Sequence, residues 1–183
     1  MSILLCVLIL LIVSCDKWDS VRTTVKDAIA DKAFPGAVVG VLYNNEVVFK
    51  EAFGTYYYGS DIPMTVDTLF DLASVSKVIG TTSAVMLLYD QKAWTLEEKI
   101  SKYVPDFKAN GKENITILNC MVHESGMQPD SPFDDFSDMN AQMLFQYTNN
   151  LRLQYKTGTE FSYSDFSMIA MKEVIEVFTS MKL

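Results

Sequence analysis

Apolar and polar residues follow one another along this chain with a period that changes from block to block. Residues 1–15 carry no charge, and 3–13 form an unbroken apolar run. A helix needs ~20 apolar residues to cross a bilayer, so this run is too short to span one and fits the apolar core of an export signal. Over 16–33, Trp18, Val21, Val25, Ala28, Ile29 and Ala33 recur on one helical face, and Phe34-Pro35-Gly36 stops the helix they predict. Blocks 37–43 and 46–53 are apolar and β-branched, with Asn44-Asn45 between them. Asparagine tolerates positive φ, so the pair predicts a hairpin with a two-residue turn. Residues 54–64 read as a loop whose tyrosines, Tyr56, Tyr57 and Tyr58, pack within it rather than line a ligand groove.

Helical spacing returns over 70–90, where Val75, Val78, Ile79, Val85, Met86 and Tyr89 predict a mostly buried helix. Thr95-Leu96-Glu97-Glu98 has the form of a capping box opening a short helix, which Pro105 closes. Residues 115–122 predict another core helix, and 127–141 read as a loop. That loop holds Pro129, Pro132 and four aspartates, Asp130, Asp134, Asp135 and Asp138, a pattern that fits a solvated loop better than a metal or acid–base cluster. Ile169, Val174, Ile175 and Phe178 predict a last helix over 168–178.

Composition narrows the picture. A chain of 183 residues, 49% hydrophobic and 21% charged, suits one globular domain with a sizeable core. The formal net charge of −8, without a basic block, argues against nucleic acid and against electrostatic docking on anionic lipid. The single histidine excludes a histidine-based metal cluster. Cys6 and Cys15 lie in the leading apolar segment, which leaves Cys120 as the one thiol of a processed chain, with no partner for a disulfide.

Candidate chemistry concentrates at Ser74 and Lys77. An i, i+3 spacing puts both side chains on one helical face, about a turn apart. A serine in the first turn has its backbone N–H pointing out of the helix start, free to meet a developing negative charge. A lysine in apolar surroundings loses some of its preference for the charged form. A neutral amine beside a hydroxyl is a general base beside a nucleophile. Spacing alone is weak, since Ser14-Cys15-Asp16-Lys17 repeats it; a helix cap and a solvated lysine account for the same letters.

The ordered words around that pair are more specific. They are Phe34-Pro35-Gly36-Ala37, Thr68-Leu69-Phe70-Asp71-Leu72-Ala73-Ser74-Val75-Ser76-Lys77, Ile115-Thr116-Ile117, His123-Glu124-Ser125-Gly126-Met127 and Gly158-Thr159-Glu160-Phe161-Ser162-Tyr163-Ser164-Asp165. As a set they resemble the serine β-lactamase and penicillin-binding family, especially its class C, D-alanyl-D-alanine carboxypeptidase and esterase-like branch. The resemblance covers about 34–178 and implies an α+β, β-lactamase/transpeptidase-like fold, with an antiparallel sheet beside a helical subdomain. It implies Ser74 as nucleophile, Lys77 as base, and Tyr163 as the group that relays the proton to the leaving group, assisted by Asp165. Asp165 stands where the family has asparagine, and Ser167 where glycine is common, which leads us to expect crowding near Tyr163. The resemblance also makes Cys120 a packing residue and His123 and Ser125 parts of a structural turn, against the Ser-His-Asp reading that a lone histidine invites.

Other matches are decoys on this reading: Tyr43-Asn44-Asn45 and Tyr147-Thr148-Asn149 for the tyrosine motif, and Lys156-Thr157-Gly158 for a lysine motif that the family places after it. The resemblance reaches only the N-terminal half to two-thirds of a family domain, so the sheet is expected to be incomplete and the chain a truncated domain, 16–183, behind a signal segment, 1–15. Ile12-Val13-Ser14-Cys15 resembles a bacterial lipobox, which implies an exported protein attached through a lipidated Cys15; a cleaved signal and a buried helix are the other readings. The implied function is acyl transfer on an amide, β-lactam or ester carbonyl, with a small-molecule or peptide substrate and no cofactor. A truncated, inactive homologue with a binding or structural role in the cell envelope is the alternative.

Overall fold

The asparagine pair turns the chain as its letters predict. Asn44 and Asn45 have φ of 47° and 65°, the left-handed pair that a type I′ turn requires. Strands β1 (Gly36–Tyr43) and β2 (Glu46–Gly54) leave it antiparallel, with Tyr43 opposite Glu46, Gly36 opposite Gly54, and a bulge between Val41 and Leu42. Among the described residues the sheet has these two strands. The computed structural model describes residues 16–129 and 138–183. Cys6, Cys15 and the signal segment lie outside them, as do Asp130, Pro132, Asp134 and Asp135. The chain divides after Asp71 into two compact units.

In the first unit, helix α1 (Asp19–Ala30) packs on β2. Trp18 stacks on Phe49 with ring centroids 4.9 Å apart. Arg22 donates to Glu51 on β2 at 2.7 Å and to Asp16 and Asp19 at 2.7 and 3.1 Å, tying the helix to the strand. At the end of β2 the chain doubles back so closely that a Cβ on Gly54 would stand 2.3 Å from the Pro35 carbonyl oxygen, and Gly54 has φ +71°. The loop that follows departs from expectation. Tyr56, Tyr57 and Tyr58 are 46%, 62% and 53% exposed, because the one bridge that closes this loop, Thr55 to Pro63, leaves its tip outside the pairing.

The second unit is helical and is built around α6 (Asp165–Thr179), which packs on α3 (Ile100–Tyr103), α4 (Ile117–Met121) and α5 (Ala141–Asn150). Phe166, Ala170, Met171 and Val174 of α6 are buried among Phe107, Ile115 and Ile117. Cys120 is fully buried in the same core, and burial pushes its thiol up to about 12, so it packs as expected. Helix α4 opens with a complete capping box, Thr116 with Asn119. Helix α5 was not predicted, and it carries Tyr147-Thr148-Asn149 with Thr148 and Asn149 buried.

The box at Thr95 only half forms. Glu98 accepts the Thr95 N–H at 3.4 Å, but no helix starts there. Leu96 and Glu98 accept the N–H groups of Leu118 and Ile117 at 2.8 and 2.9 Å, and Ile100 donates to Ile115. Those bonds tie a turn over 95–98 and a bridge at Lys99 to the 115–118 segment, and the helix waits until Ile100. After 3-10 turns over Pro105–Gly111, Lys112 is fully buried and donates to the Ala109 and Leu151 carbonyls at 2.9 and 2.5 Å. Leu151 is the residue that ends α5, so the lysine satisfies a carbonyl that the helix itself cannot.

The long helix predicted over 70–90 is a composite. A π-helix spans Lys77–Thr82, and α2 spans Ser83–Asp90. The Thr82 and Ser83 hydroxyls donate to the Lys77 and Val78 carbonyls, five residues back, at 2.9 and 3.2 Å. The expectation that this helix is mostly buried is not met. Val85 is 4% exposed, but Val75, Val78, Ile79, Met86 and Tyr89 are 50–65% exposed. A π turn takes up an extra residue, so a 3.6-residue period counted through it assigns later side chains to the wrong face. Val85 turns inward as expected, and Leu88 with it.

Candidate active site

The segment before the π-helix winds into it through successive i→i+3 bonds: Val75 to Leu72, Ser76 to Ala73 and Lys77 to Ser74, at 2.9–3.1 Å. Ser74 therefore stands in the turn that leads into the helix rather than inside its first α-turn. Ala73 before it has φ 42°, a conformation that costs a non-glycine residue energy and is held by its surroundings. Among the described residues no backbone carbonyl accepts the Ser74 N–H. Its side chain is exposed.

Lys77 reaches back along the same face. Its Nζ donates to Ser74 Oγ at 2.9 Å and pairs with Asp165 Oδ1 at 2.8 Å. It also lies 4.9 Å from the centroid of the Tyr163 ring. Ser74, Lys77, Tyr163 and Asp165 are thus brought together within the second unit. Lys77 and Asp165 also help to line a cavity of about 280 Å³ with Ser76, Thr81, Met168 and Lys172.

The charge on the lysine differs from expectation. Burial pulls the Lys77 amine down, but the Asp165 carboxylate and the Tyr163 phenol outweigh it and hold the amine above the ordinary lysine value. The Asp165 carboxylate, 2.8 Å away, favours the charged amine over the neutral one expected from an apolar helix. Tyr163 moves the other way. Hydrogen bonds from Lys77 and then Ser74 hold its phenol below the ordinary tyrosine value, against burial. Beside an ammonium the phenol ionises more readily, and the phenolate, unlike the ammonium, has a lone pair free to accept a proton.

Tyr163 is held by its neighbours in sequence. Ser164 caps α6: its Oγ accepts the Ser167 N–H at 3.4 Å and donates to the Gln128 carbonyl at 2.7 Å. The Asp165 N–H donates to the Pro129 carbonyl at 2.8 Å. Ser167 does not crowd the site; it is buried, with its hydroxyl 2.9 Å from that of Ser125. His123 and Ser125 form the turn expected of them, after α4. The Gly126 carbonyl of that turn accepts the Gln154 N–H at 2.8 Å. A Cβ on Gly126, which has φ +89°, would meet the Tyr155 carbonyl at 2.5 Å. Lys156-Thr157-Gly158 packs against the same turn, Thr157 donating to the Ser125 carbonyl and Gly158 to that of Glu124, both at 2.9 Å. Tyr43-Asn44-Asn45 is the hairpin turn. What the sequence did not signal is how close His123 lies to Tyr163: their ring centroids are 4.5 Å apart.

Known proteins share this arrangement of chain. The chain is 30% identical to an N-acetylmuramyl-L-alanine amidase of Bacillus subtilis (strain 168), over 82% of this chain and 38% of that protein. It is 28% identical to a protein of Salmonella agona (strain SL483), provisionally assigned as a D-alanyl-D-alanine carboxypeptidase, over 84% of this chain and 40% of that one. The chain thus spans about two fifths of the length of these relatives. Its backbone superimposes on an octameric penicillin-binding protein homologue from Pyrococcus abyssi with a TM-score of 0.80 at 17% identity, over 91% of this chain and 40% of that one. A class C beta-lactamase gives 0.77 at 21% identity, over 90% and 45%. These neighbours define the fold as α+β and β-lactamase/transpeptidase-like. The family model described as Beta-lactamase matches residues 21–183, and on that match the chain belongs to the beta-lactamase family.

Proposed function

We propose that the chain carries the acylating half of a serine hydrolase, with Ser74 as nucleophile. The observation that carries this reading is the single ammonium of Lys77, shared between the Ser74 hydroxyl at 2.9 Å and the Asp165 carboxylate at 2.8 Å and lying 4.9 Å from the centroid of the Tyr163 ring. Ser74 Oγ bonds to a substrate carbonyl carbon as its proton passes to Tyr163, which enters the step as the phenolate and leaves it as the phenol. Charge develops on the former carbonyl oxygen, and the Ser74 N–H is the donor proposed to receive it. The tetrahedral species collapses by breaking the bond to the leaving group, which takes the proton from Tyr163, and water then releases the acyl group from Ser74. Lys77 keeps its charge throughout and favours the phenolate that the first proton transfer consumes and the second restores, so the base is the tyrosine rather than the lysine.

Amides, β-lactams and esters all suit this chemistry. The names of the relatives favour peptides and amides of the bacterial cell wall as substrates. A signal segment over 1–15 with a lipidated Cys15 would place the protein outside the cytoplasm, held at a membrane; this part of the reading rests on sequence alone, and a membrane fraction unchanged in Cys15→Ala would overturn it. Exposed Leu72 and Val75, flanking Ser74 in sequence and each at 50%, favour a second reading in which the chain is an inactive homologue that binds a partner there. Incubation with a fluorophosphonate or a labelled penicillin, followed by intact mass, separates the two. One adduct, lost in Ser74→Ala, is the outcome expected of the hydrolase. A folded chain that takes no adduct would leave the binding reading.

A further inference from the structure

His123 closes the turn after α4 with φ 58°, and three contacts run from it to the segment that carries the phenol. Its carbonyl accepts the Ser162 N–H at 2.9 Å. Its Nδ1 accepts the Ser164 N–H at 3.0 Å. Its ring lies on that of Tyr163, with centroids 4.5 Å apart and planes 33° from parallel, while Phe161 meets the imidazole edge-on at 6.1 Å. One residue thus holds the backbone before and after Tyr163 and one face of its ring. With Nδ1 occupied by a backbone donor, the imidazole is not free to serve Ser74 as a base.

We propose that His123 is a positioning residue that orients the Tyr163 phenol, and that it does so as the neutral imidazole with Nδ1 unprotonated. Protonation at Nδ1 would replace an acceptor by a donor facing the Ser164 N–H, so the clamp opens on the acid side. The charged groups that bear on the ring are Lys77 and Asp165. Burial and then the Lys77 charge lower the imidazole below its ordinary value, against the Ser164 hydrogen bond and Asp165, so the clamp stays closed through neutral pH. The inference rests on Tyr163 as the proton acceptor, and its test is split so that the two can fail separately.

This chain has one histidine, so its imidazole resonances need no assignment. Their shifts in the folded protein are expected to report a proton on Nε2 with Nδ1 as acceptor, and their titration midpoint to rise in Lys77→Met, which removes a neighbouring positive charge. Fluorophosphonate labelling should slow roughly 10- to 100-fold in His123→Ala, in the limiting rate rather than in the half-saturating concentration. Part of that loss should return in His123→Asn, because asparagine accepts a left-handed φ and offers an acceptor oxygen. Below the rise set by the Tyr163 phenol, the wild-type rate should fall further through the histidine midpoint. A proton on Nδ1 in the folded protein would overturn the proposal, and so would equal rates in the Ala and Asn variants when both melt like the wild type. If wild-type protein takes no label, the hydrolase reading fails, and the clamp is judged by the histidine tautomer and by whether the Tyr163 ring signals average in His123→Ala but not in His123→Asn.

Discussion

Asp165 lies 2.8 Å from Lys77 Nζ with its side chain 54% exposed, while that of Lys77 is 17% exposed. The carboxylate acts on the site in two ways: it holds the lysine charged, and its own negative charge raises the phenol. Asp165→Asn leaves an acceptor for the ammonium but removes the repulsion on the phenolate. The pH at which labelling of Ser74 rises is therefore expected to move down in Asp165→Asn and up in Lys77→Met, as read from pH–rate profiles. The Ser74–Lys77 contact was legible in the i, i+3 spacing, but the charge on Lys77 was not, because its cause is a residue far along the chain. Lys112 gave no signal at all. Burial lowers its amine to about 8. Between about 8 and the ordinary lysine value of 10.5 the unfolded chain binds the extra proton, so stability is expected to rise with pH across that window. Lys112→Met should flatten that slope. It should also cost about 2 kcal/mol in denaturant melts, since the Ala109 and Leu151 carbonyls are left without their donor.

Helices report how far a periodic pattern can be trusted. The hairpin was legible because two asparagines specify a turn locally, and α6 because its apolar spacing is unbroken. The stretch over 70–90 was legible as helical but not in its facing, since a π turn leaves no mark on composition. Gly80 sits inside that turn, and a Cβ there would meet nothing within 4 Å. Gly80→Ala is expected to stabilise the helix by ~0.5–1 kcal/mol in thermal melts, through the freedom glycine loses on folding. Helix α5 did have a signal: Asn140 accepts the Met143 N–H as its cap at 3.0 Å. It was lost in a loop reading drawn from nearby prolines and aspartates. At the contact of α5 with α6, Asn149 Oδ1 and Glu173 Oε2 are buried without a hydrogen-bond partner among the described residues. Burial raises the Glu173 carboxyl above its ordinary value. Its stabilising contribution is whole below pH 4.5 and is lost as pH rises through the folded value. Glu173→Gln supplies an amide donor for Asn149 Oδ1 and no charge to bury, so it should raise the melting temperature at neutral pH by a few degrees.

At the scale of the molecule, the two units differ in how much apolar surface they bury. Phe49 and Phe53 are the buried hydrophobic residues described in the first unit, whereas the second holds a core that runs from Val85 to Ile175. Amides of β1 and β2 are therefore expected to exchange with solvent faster than those of α6 under native conditions. The second unit also exposes Val78, Ile79, Met86, Leu87 and Tyr89 from one helical stretch, apolar surface of the kind that binds hydrophobic dyes. Replacing Val78 and Met86 together by lysine should lower dye binding while leaving the melting temperature within about a degree. Cys120 has a use at this scale. It is the only thiol between residues 16 and 183 and is sealed in the core. A maleimide can reach it only when the second unit opens, so its labelling rate counts openings of the unmodified chain. Any compound that braces the residues around Ser74 would then announce itself, without a turnover assay, as a slower clock at Cys120.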